Sequence, residues 1–168
     1  AQSSKVGSAD ILQELNIPID LDKDEAEKYF EKNNFVFLFA PKYHPAMKYA
    51  GKVRKELKFR TIFNFLGPLC NPGDPDFQII GVSNQKKLPL LADAVLKLKR
   101  KNVILYSSED GYDELSTNAK TLCYEVKENK IDKYQINPAD YFKPYPMPFI
   151  QTEEEAKSSF IAALTGSN

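Results

Sequence analysis

Gln78-Ile79-Ile80-Gly81-Val82, then Leu88 through Lys99, then Val103-Ile104-Leu105-Tyr106 form the stretch on which the fold turns. The two outer runs are short and apolar, rich in β-branched residues, and read as strands. The segment between them sets Leu88, Leu91, Val95 and Leu98 on one helical face. Strand, helix, strand in that order is the unit from which parallel sheets are built. Upstream, Phe35-Val36-Phe37-Leu38-Phe39 is a continuous apolar run and is expected to be a strand buried on both faces. Pro45 to Leu57 reads as a helix with its proline in the first turn and Ala46, Ala50, Val53 and Leu57 as the core stripe. Lys48, Lys52 and Lys55 fall opposite that stripe, while Met47, Gly51 and Arg54 flank it. Downstream, Leu122, Tyr124 and Val126 alternate, and Ile131–Ile136 follows Glu128-Asn129, the pattern of a hairpin. The expected architecture is α/β, a mixed, largely parallel sheet flanked by helices, in a single domain over residues 1–168.

The remaining elements are shorter. Ala9 to Leu15 reads as a helix with Ser8 as N-cap and Asp10 in its first turn. Asp22 with Glu25 marks the start of a second helix, whose apolar face is Ala26, Tyr29 and Phe30. Thr61–Leu66 fits helix or strand, and Gly67 to Pro75 is turn-rich. Pro138–Phe142 reads as one helical turn, and Pro144, Pro146 and Pro148 make the next segment irregular. Glu153–Leu164 is a final amphipathic helix. No internal repeat or low-complexity tract interrupts this order.

The totals narrow the function classes. In 168 residues, 23 Lys and Arg balance 23 Asp and Glu, so neither a nucleic-acid surface nor an acidic tail is indicated. An anionic substrate then needs a local site. Cys70 and Cys123 lie far apart without metal spacing, which fits a reducing cytoplasm. No signal peptide or membrane-length apolar run is expected.

Several residues could carry chemistry. Ser3, Ser4, Gly7 and Ser8 lead into a helix start, where free N–H groups favour an anion; an ordinary N-cap explains the same residues. Glu109-Asp110-Gly111-Tyr112-Asp113-Glu114 follows the strand ending at Tyr106, at the end of an α/β sheet where ligands gather. Such a loop could hold Mg²⁺ through oxygen ligands, or be a solvated acidic turn. His44 is the sole histidine and reads first as a packing or capping residue. Arg54, beside the buried stripe, suits a ligand carboxylate or a structural ion pair. No nucleophile–base arrangement, P-loop or dinucleotide fingerprint stands out.

The block Phe39-Ala40-Pro41, His44-Pro45-Ala46-Met47-Lys48, Val53-Arg54, Arg60-Thr61-Ile62-Phe63-Asn64 and Gly67-Pro68-Leu69 with Asn71-Pro72 resembles the anthranilate phosphoribosyltransferase family in order and spacing. Ser3-Ser4-Lys5 with Gly7-Ser8-Ala9-Asp10 resembles the segment following that family's Lys-His-Gly-Asn motif, and Asp110-Gly111-Tyr112-Asp113-Glu114 resembles its acidic metal motif. The resemblance implies the nucleoside phosphorylase/phosphoribosyltransferase-type fold and phosphoribosyl transfer to anthranilate in tryptophan biosynthesis. It implies that Ser3, Ser4 and Ser8 meet phosphoribosyl pyrophosphate and that Asp113 and Glu114 serve Mg²⁺, directly or through water. It places Arg54 on the anthranilate carboxylate, with Ala40, Pro41, His44, Met47 and Tyr49 near the aromatic substrate.

Departures from the family pattern accompany the match. Its helical N-terminal domain, Gly-Thr-Gly-Gly-Asp loop and Lys-His-Gly-Asn motif have no counterpart in these residues, and the C-terminus comes early. The isolated chain is therefore expected to be inactive, and monomeric where the family is homodimeric. Ser107-Ser108 stand where the family usually has His-Gly, and Lys58 replaces a usual glycine. Pyrimidine nucleoside phosphorylases share the fold, but the His44-Pro45-Ala46-Met47 block argues against them. A nucleic-acid-binding relative is disfavoured by the neutral charge.

Overall fold

The computed structural model describes residues 7–46, 49, 63–146, 150 and 152–167. In chain order its elements are α1 (Ser8–Glu14), α2 (Lys23–Asn33), α3 (Ala40–Tyr43), α4 (Phe63–Leu69), β1 (Phe77–Gly81), α5 (Leu88–Lys97), β2 (Asn102–Ser108), β3 (Thr121–Lys127), β4 (Lys130–Ile136) and α6 (Glu153–Thr165), with 3₁₀ turns at Gln85–Lys87 and Pro138–Asp140. They fall into two compact units, Ala1–Phe59 with Phe149–Asn168, and Arg60–Pro148. Among the described residues no helix is long and apolar enough to cross a membrane.

The second unit holds a four-stranded sheet in the order β1-β2-β3-β4. β1 runs parallel to β2, with Phe77 beside Asn102 and Gly81 beside Tyr106. The Val82 N–H carries this ladder one step further, donating to the Tyr106 carbonyl at 2.8 Å. β2 with β3 and β3 with β4 are antiparallel. The hairpin turns through Glu128 and Asn129, both at positive φ (52° and 60°), between the facing residues Lys127 and Lys130. A two-residue turn with two left-handed residues has the twist that antiparallel strands need.

α5 covers one face of this sheet. Leu88, Leu91, Ala92 and Val95 pack on Ile80, Val82, Val103, Leu105 and Val126. Complete burial of one such leucine contributes about 1.5–3 kcal/mol. The helix ends where Lys99 turns left-handed at φ 55°. The Lys99 N–H then donates to Leu96 O and the Arg100 N–H to Val95 O, closing a Schellman motif. Leu98, read as part of the inner face, lies past the helix end and is 53% exposed.

The first unit is helical. Asp22 caps α2, accepting from Glu25 N while the Glu25 carboxylate accepts from Asp22 N, both at 2.9 Å, as the capping pair predicts. Its expected apolar face is shallow: Ala26 is buried, Tyr29 half-buried and Phe30 52% exposed. Thr152 and Glu155 cap α6 in the same way.

Four readings of the sequence need correction. Phe35–Phe39 has no regular secondary structure and joins no ladder among the described residues; Phe35 is 47% exposed, and the run's visible organisation is the stacking of the Phe37 and Phe39 rings at 6.5 Å. With that run outside the sheet, one of its three pairings is parallel. The N-cap of α1 is Gly7, one residue before Ser8, because the Asp10 carboxylate accepts the Gly7 N–H at 2.8 Å. Gly67, Pro68 and Leu69 belong to α4, not to the loop that follows. Pro68 sits in the last turn, where its missing N–H removes a single helical bond. The helix expected over Pro45–Leu57 lies almost wholly outside the described residues.

Candidate functional site

The acidic loop grows from the end of β2. Ser107 and Ser108 extend that strand past Tyr106 and are buried, 0% and 2% exposed. After them the chain folds back, with Gly111 at φ 89°. The Gly111 N–H donates to Ser108 O, and the Ser108 N–H to Tyr112 O, both at 3.1 Å. Glu109 N–H reaches Lys120 O at 2.9 Å, and Ser108 faces Thr121 across the ladder, so both ends of the loop close on one rung of the sheet.

The loop's carboxylates divide into two kinds. Asp110 is engaged on both oxygens: the Ser108 hydroxyl donates to Oδ1, and the Ser116 hydroxyl to Oδ2 at 2.6 Å. The little burial it suffers pushes its pKa up, but the hydrogen bonds from Ser108, Ser116 and the backbone outweigh this and hold it below the usual aspartate value. Asp113 and Glu114 are exposed and have no hydrogen-bond or ion-pair partner among the described residues. Surrounding protein and then the charge of Asp113 push the Glu114 pKa up. Burial, with the Glu114 and Asp113 charges behind it, likewise raises the Tyr106 phenol, which stays protonated beside the pair.

Asp113 is placed by backbone contact as well. A methyl group at Gly81, the last residue of β1, would overlap the Asp113 carbonyl and lie 2.8 Å from its carbon. The main chain of Asp113 thus rests against the carboxyl end of β1, next to the carboxyl end of β2. This is the edge of an α/β sheet at which ligands bind. Two neighbouring carboxylates that repel each other there make a set of hard oxygen donors for a divalent cation. Among the described residues no group of three or more His, Cys, Asp or Glu gathers as a metal cage. A cation at the pair would complete its shell with water or substrate phosphate, as Mg²⁺ commonly does.

In the first unit, α3 begins at Ala40-Pro41, with proline in the first turn. Lys42 pairs with Asp20 at 3.0 Å, and the Tyr43 hydroxyl donates to Leu21 O at 3.2 Å, tying this turn to the chain ahead of α2. His44 caps α3, donating its N–H to Ala40 O at 2.9 Å, and is half-buried. Ala40 and Pro41 are exposed, and Tyr49 is 87% exposed. Ser8 is an exposed residue in the first turn of α1. Ser3, Ser4, Met47 and Arg54 lie outside the described residues, as does Lys58.

Reading the sequence missed Tyr106, Ser108, Asp110 and Ser116 as parts of the loop's architecture. One signal was available: a lone glycine inside a strand, Gly81, marks close approach of another backbone. Apart from the family resemblance, nothing in the sequence separates Asp110 from Asp113.

Comparison with known proteins places these features. The family model described as the glycosyl transferase family, a/b domain, matches residues 1–161. An anthranilate phosphoribosyltransferase of Sulfolobus acidocaldarius is 42% identical over 165 residues, 98% of this chain and 48% of that protein. One from Pelagibacter ubique is 46% identical over 138 residues, 82% of this chain and 42% of that protein. Among solved structures, the Saccharomyces cerevisiae enzyme in complex with PRPP and Mg superposes with a TM-score of 0.75 at 27% identity, covering 83% of this chain and 40% of that one. The same enzyme in complex with 4-fluoroanthranilate gives 0.74 at 28% identity, with the same coverage. The chain therefore spans about half the length of the curated relatives it matches. By the extent of the family match, the chain belongs to the glycosyl transferase family through its a/b domain, and within that family it is similar to the anthranilate phosphoribosyltransferases.

Proposed function

We propose that the chain carries a large part of an anthranilate phosphoribosyltransferase, the enzyme that moves the phosphoribosyl group of phosphoribosyl pyrophosphate onto the amine of anthranilate. The observation that carries this reading is the Asp113–Glu114 pair at the carboxyl ends of β1 and β2, without a hydrogen-bond or ion-pair partner among the described residues, in a chain whose relatives bear that name. The protein supplies no nucleophile. The anthranilate amine attacks the anomeric carbon as pyrophosphate departs, and the enzyme's part is to hold the two substrates in line. When bound, Mg²⁺ supplies neutralising charge for the leaving group. Asp113 and Glu114 hold it, directly or through water. Ser3, Ser4 and Ser8 contact the phosphoribosyl donor. Arg54 binds the anthranilate carboxylate as a bidentate partner, while Ala40, Pro41, His44, Met47 and Tyr49 shape the approach of the aromatic ring. The working enzyme is cytoplasmic and homodimeric, with the a/b domain joined to further chain.

Anthranilate fluorescence tests this reading in an enzyme of its relatives' full length carrying these residues. With phosphoribosyl pyrophosphate and Mg²⁺ the signal should fall, and chelation should stop it. Arg54→Ala should raise KM for anthranilate by about tenfold or more, the worth of one charge-assisted hydrogen bond, and leave KM for phosphoribosyl pyrophosphate nearly unchanged. Equal losses for both substrates would remove Arg54 from the anthranilate site. Phosphorolysis of thymidine or uridine in place of the fluorescence loss would replace the reaction itself.

A further inference from the structure

We propose that Asp110 is a positioning residue: gripped by Ser108 and Ser116, it presents Asp113 and Glu114 to a divalent cation and does not itself bind one. The inference rests on the assignment of Asp113 and Glu114 as the cation site, and concerns how the chain holds them there.

Each oxygen of Asp110 already accepts a hydroxyl, from Ser108 and from Ser116, which leaves it less lone-pair capacity for a cation than the unengaged carboxylates of Asp113 and Glu114 have. Those serines are themselves buried, 2% and 6% exposed, and fixed. Ser116 Oγ accepts the N–H groups of Asn118 and Ala119, each at 3.0 Å, and its own N–H donates to Thr121 Oγ1 at 3.3 Å. Ser108 is a ladder residue of β2, facing that same Thr121. Asp110 therefore fastens the outgoing strand end to the returning segment and closes the residues between them into one loop. Within that loop the Asp113 backbone lies against Gly81. Three attachments (Ser108, Ser116 and Gly81) thus fix a pair of side chains that make no polar contact of their own among the described residues. This is the arrangement of an outer shell, which orients ligands while remaining off the metal. Ser108 provides the attachment to Oδ1; a glycine at that position could not.

Mn²⁺ titration of the chain, read by paramagnetic broadening of backbone amide NMR signals, tests the proposal, with hydrogen exchange of the same amides alongside. In the unaltered chain, broadening should centre on Asp113 and Glu114 and vanish in Asp113→Asn with Glu114→Gln. Asp110→Ala should weaken Mn²⁺ about tenfold or more, as loss of an outer-shell partner does. It should also speed exchange at Gly111, whose N–H donates to Ser108 O, while the β2–β3 amides stay protected, which separates a loosened loop from a misfolded chain. Asp110→Asn keeps an acceptor for Ser108 and should recover most of the affinity. Unchanged Mn²⁺ affinity in Asp110→Ala overturns the positioning role. Loss in Asp110→Asn as complete as in Asp113→Asn, with loop exchange unaltered, makes Asp110 a ligand and also overturns it. No broadening in the unaltered chain, or broadening that survives Asp113→Asn with Glu114→Gln, overturns the cation assignment and the proposal with it; the exchange data then show whether the loop is clamped without a metal.

Discussion

Phe35–Phe39 and Val103–Ser108 look alike as sequence and differ as structure. Each contains a short apolar run, and each leads into residues proposed for binding: Ala40, Pro41 and His44 after the first, Asp113 and Glu114 after the second. The second run is a strand with a partner on each side, and its alternate residues Val103 and Leu105 are 2% and 0% exposed. The first has no regular secondary structure, is unpaired among the described residues, and is half-exposed along its length. Hydrophobicity says that a segment can be buried; only a neighbouring backbone makes it a strand, because ladder N–H and C=O groups need each other. The consequence reaches the site. The acidic loop inherits the position of β2, whereas the turn at Ala40–Tyr43 is held by its own proline and by Lys42 and Tyr43 reaching back to Asp20 and Leu21.

The largest test of this contrast is a pair of truncations. Leu105→Ala should cost about 2–5 kcal/mol, the range for deleting a buried leucine in a core that cannot collapse around the hole. Val36→Ala, on a half-buried residue, should cost less than about 1 kcal/mol. Equilibrium urea unfolding gives both from the shift in midpoint at constant slope. Equal costs would mean that the Phe35–Phe39 run is packed as tightly as the sheet core, and the contrast would break.

What was legible follows the same line. The hairpin was, because Glu128-Asn129 sits between two alternating runs; so was the cap at Asp22, whose signal is local. The mixed sheet was, once strand and helix periods alternated from Gln78 to Tyr106. The stop of α5 was not, since nothing in Lys99 announces a left-handed residue. In the site, the sequence singled out the acidic loop and, through the family resemblance, the Asp113–Glu114 pair now proposed for the cation. It could not show that Asp110 is occupied, because that depends on Ser116, six residues away across a turn.

A middle-sized effect sharpens the link between sheet and loop. Gly81→Ala adds one methyl where the Asp113 carbonyl already lies, and backbone cannot step aside as a flexible side chain can. Overpacking of this kind costs about 1–3 kcal/mol, and here the strain falls on the loop. The expected result is a lower melting temperature together with faster amide exchange at Gly111, the loop amide that donates to Ser108 O. Full stability and unchanged exchange would show that the loop is not seated on β1.

The smallest effect contrasts two adjacent serines at the end of β2. Ser108 has a use for its hydroxyl in Asp110. Ser107 is 0% exposed, its carbonyl accepts from Gln85 Nε2 at 3.1 Å, and its hydroxyl has no hydrogen-bond partner among the described residues. It points to the face shared by Val103 and Leu105, where an unpaired hydroxyl costs about 1–3 kcal/mol of desolvation. Ser107→Ala removes that hydroxyl and should leave stability unchanged or raise it by up to about 1 kcal/mol, the small cavity offsetting part of the gain. Ser108→Ala should instead lower it, because Asp110 loses a donor. Measured side by side by thermal unfolding, the two variants should move in opposite directions from the same starting point. If both fall alike, Ser107 has a partner that its neighbours conceal, and the division between a structural serine and an idle one at the end of β2 disappears.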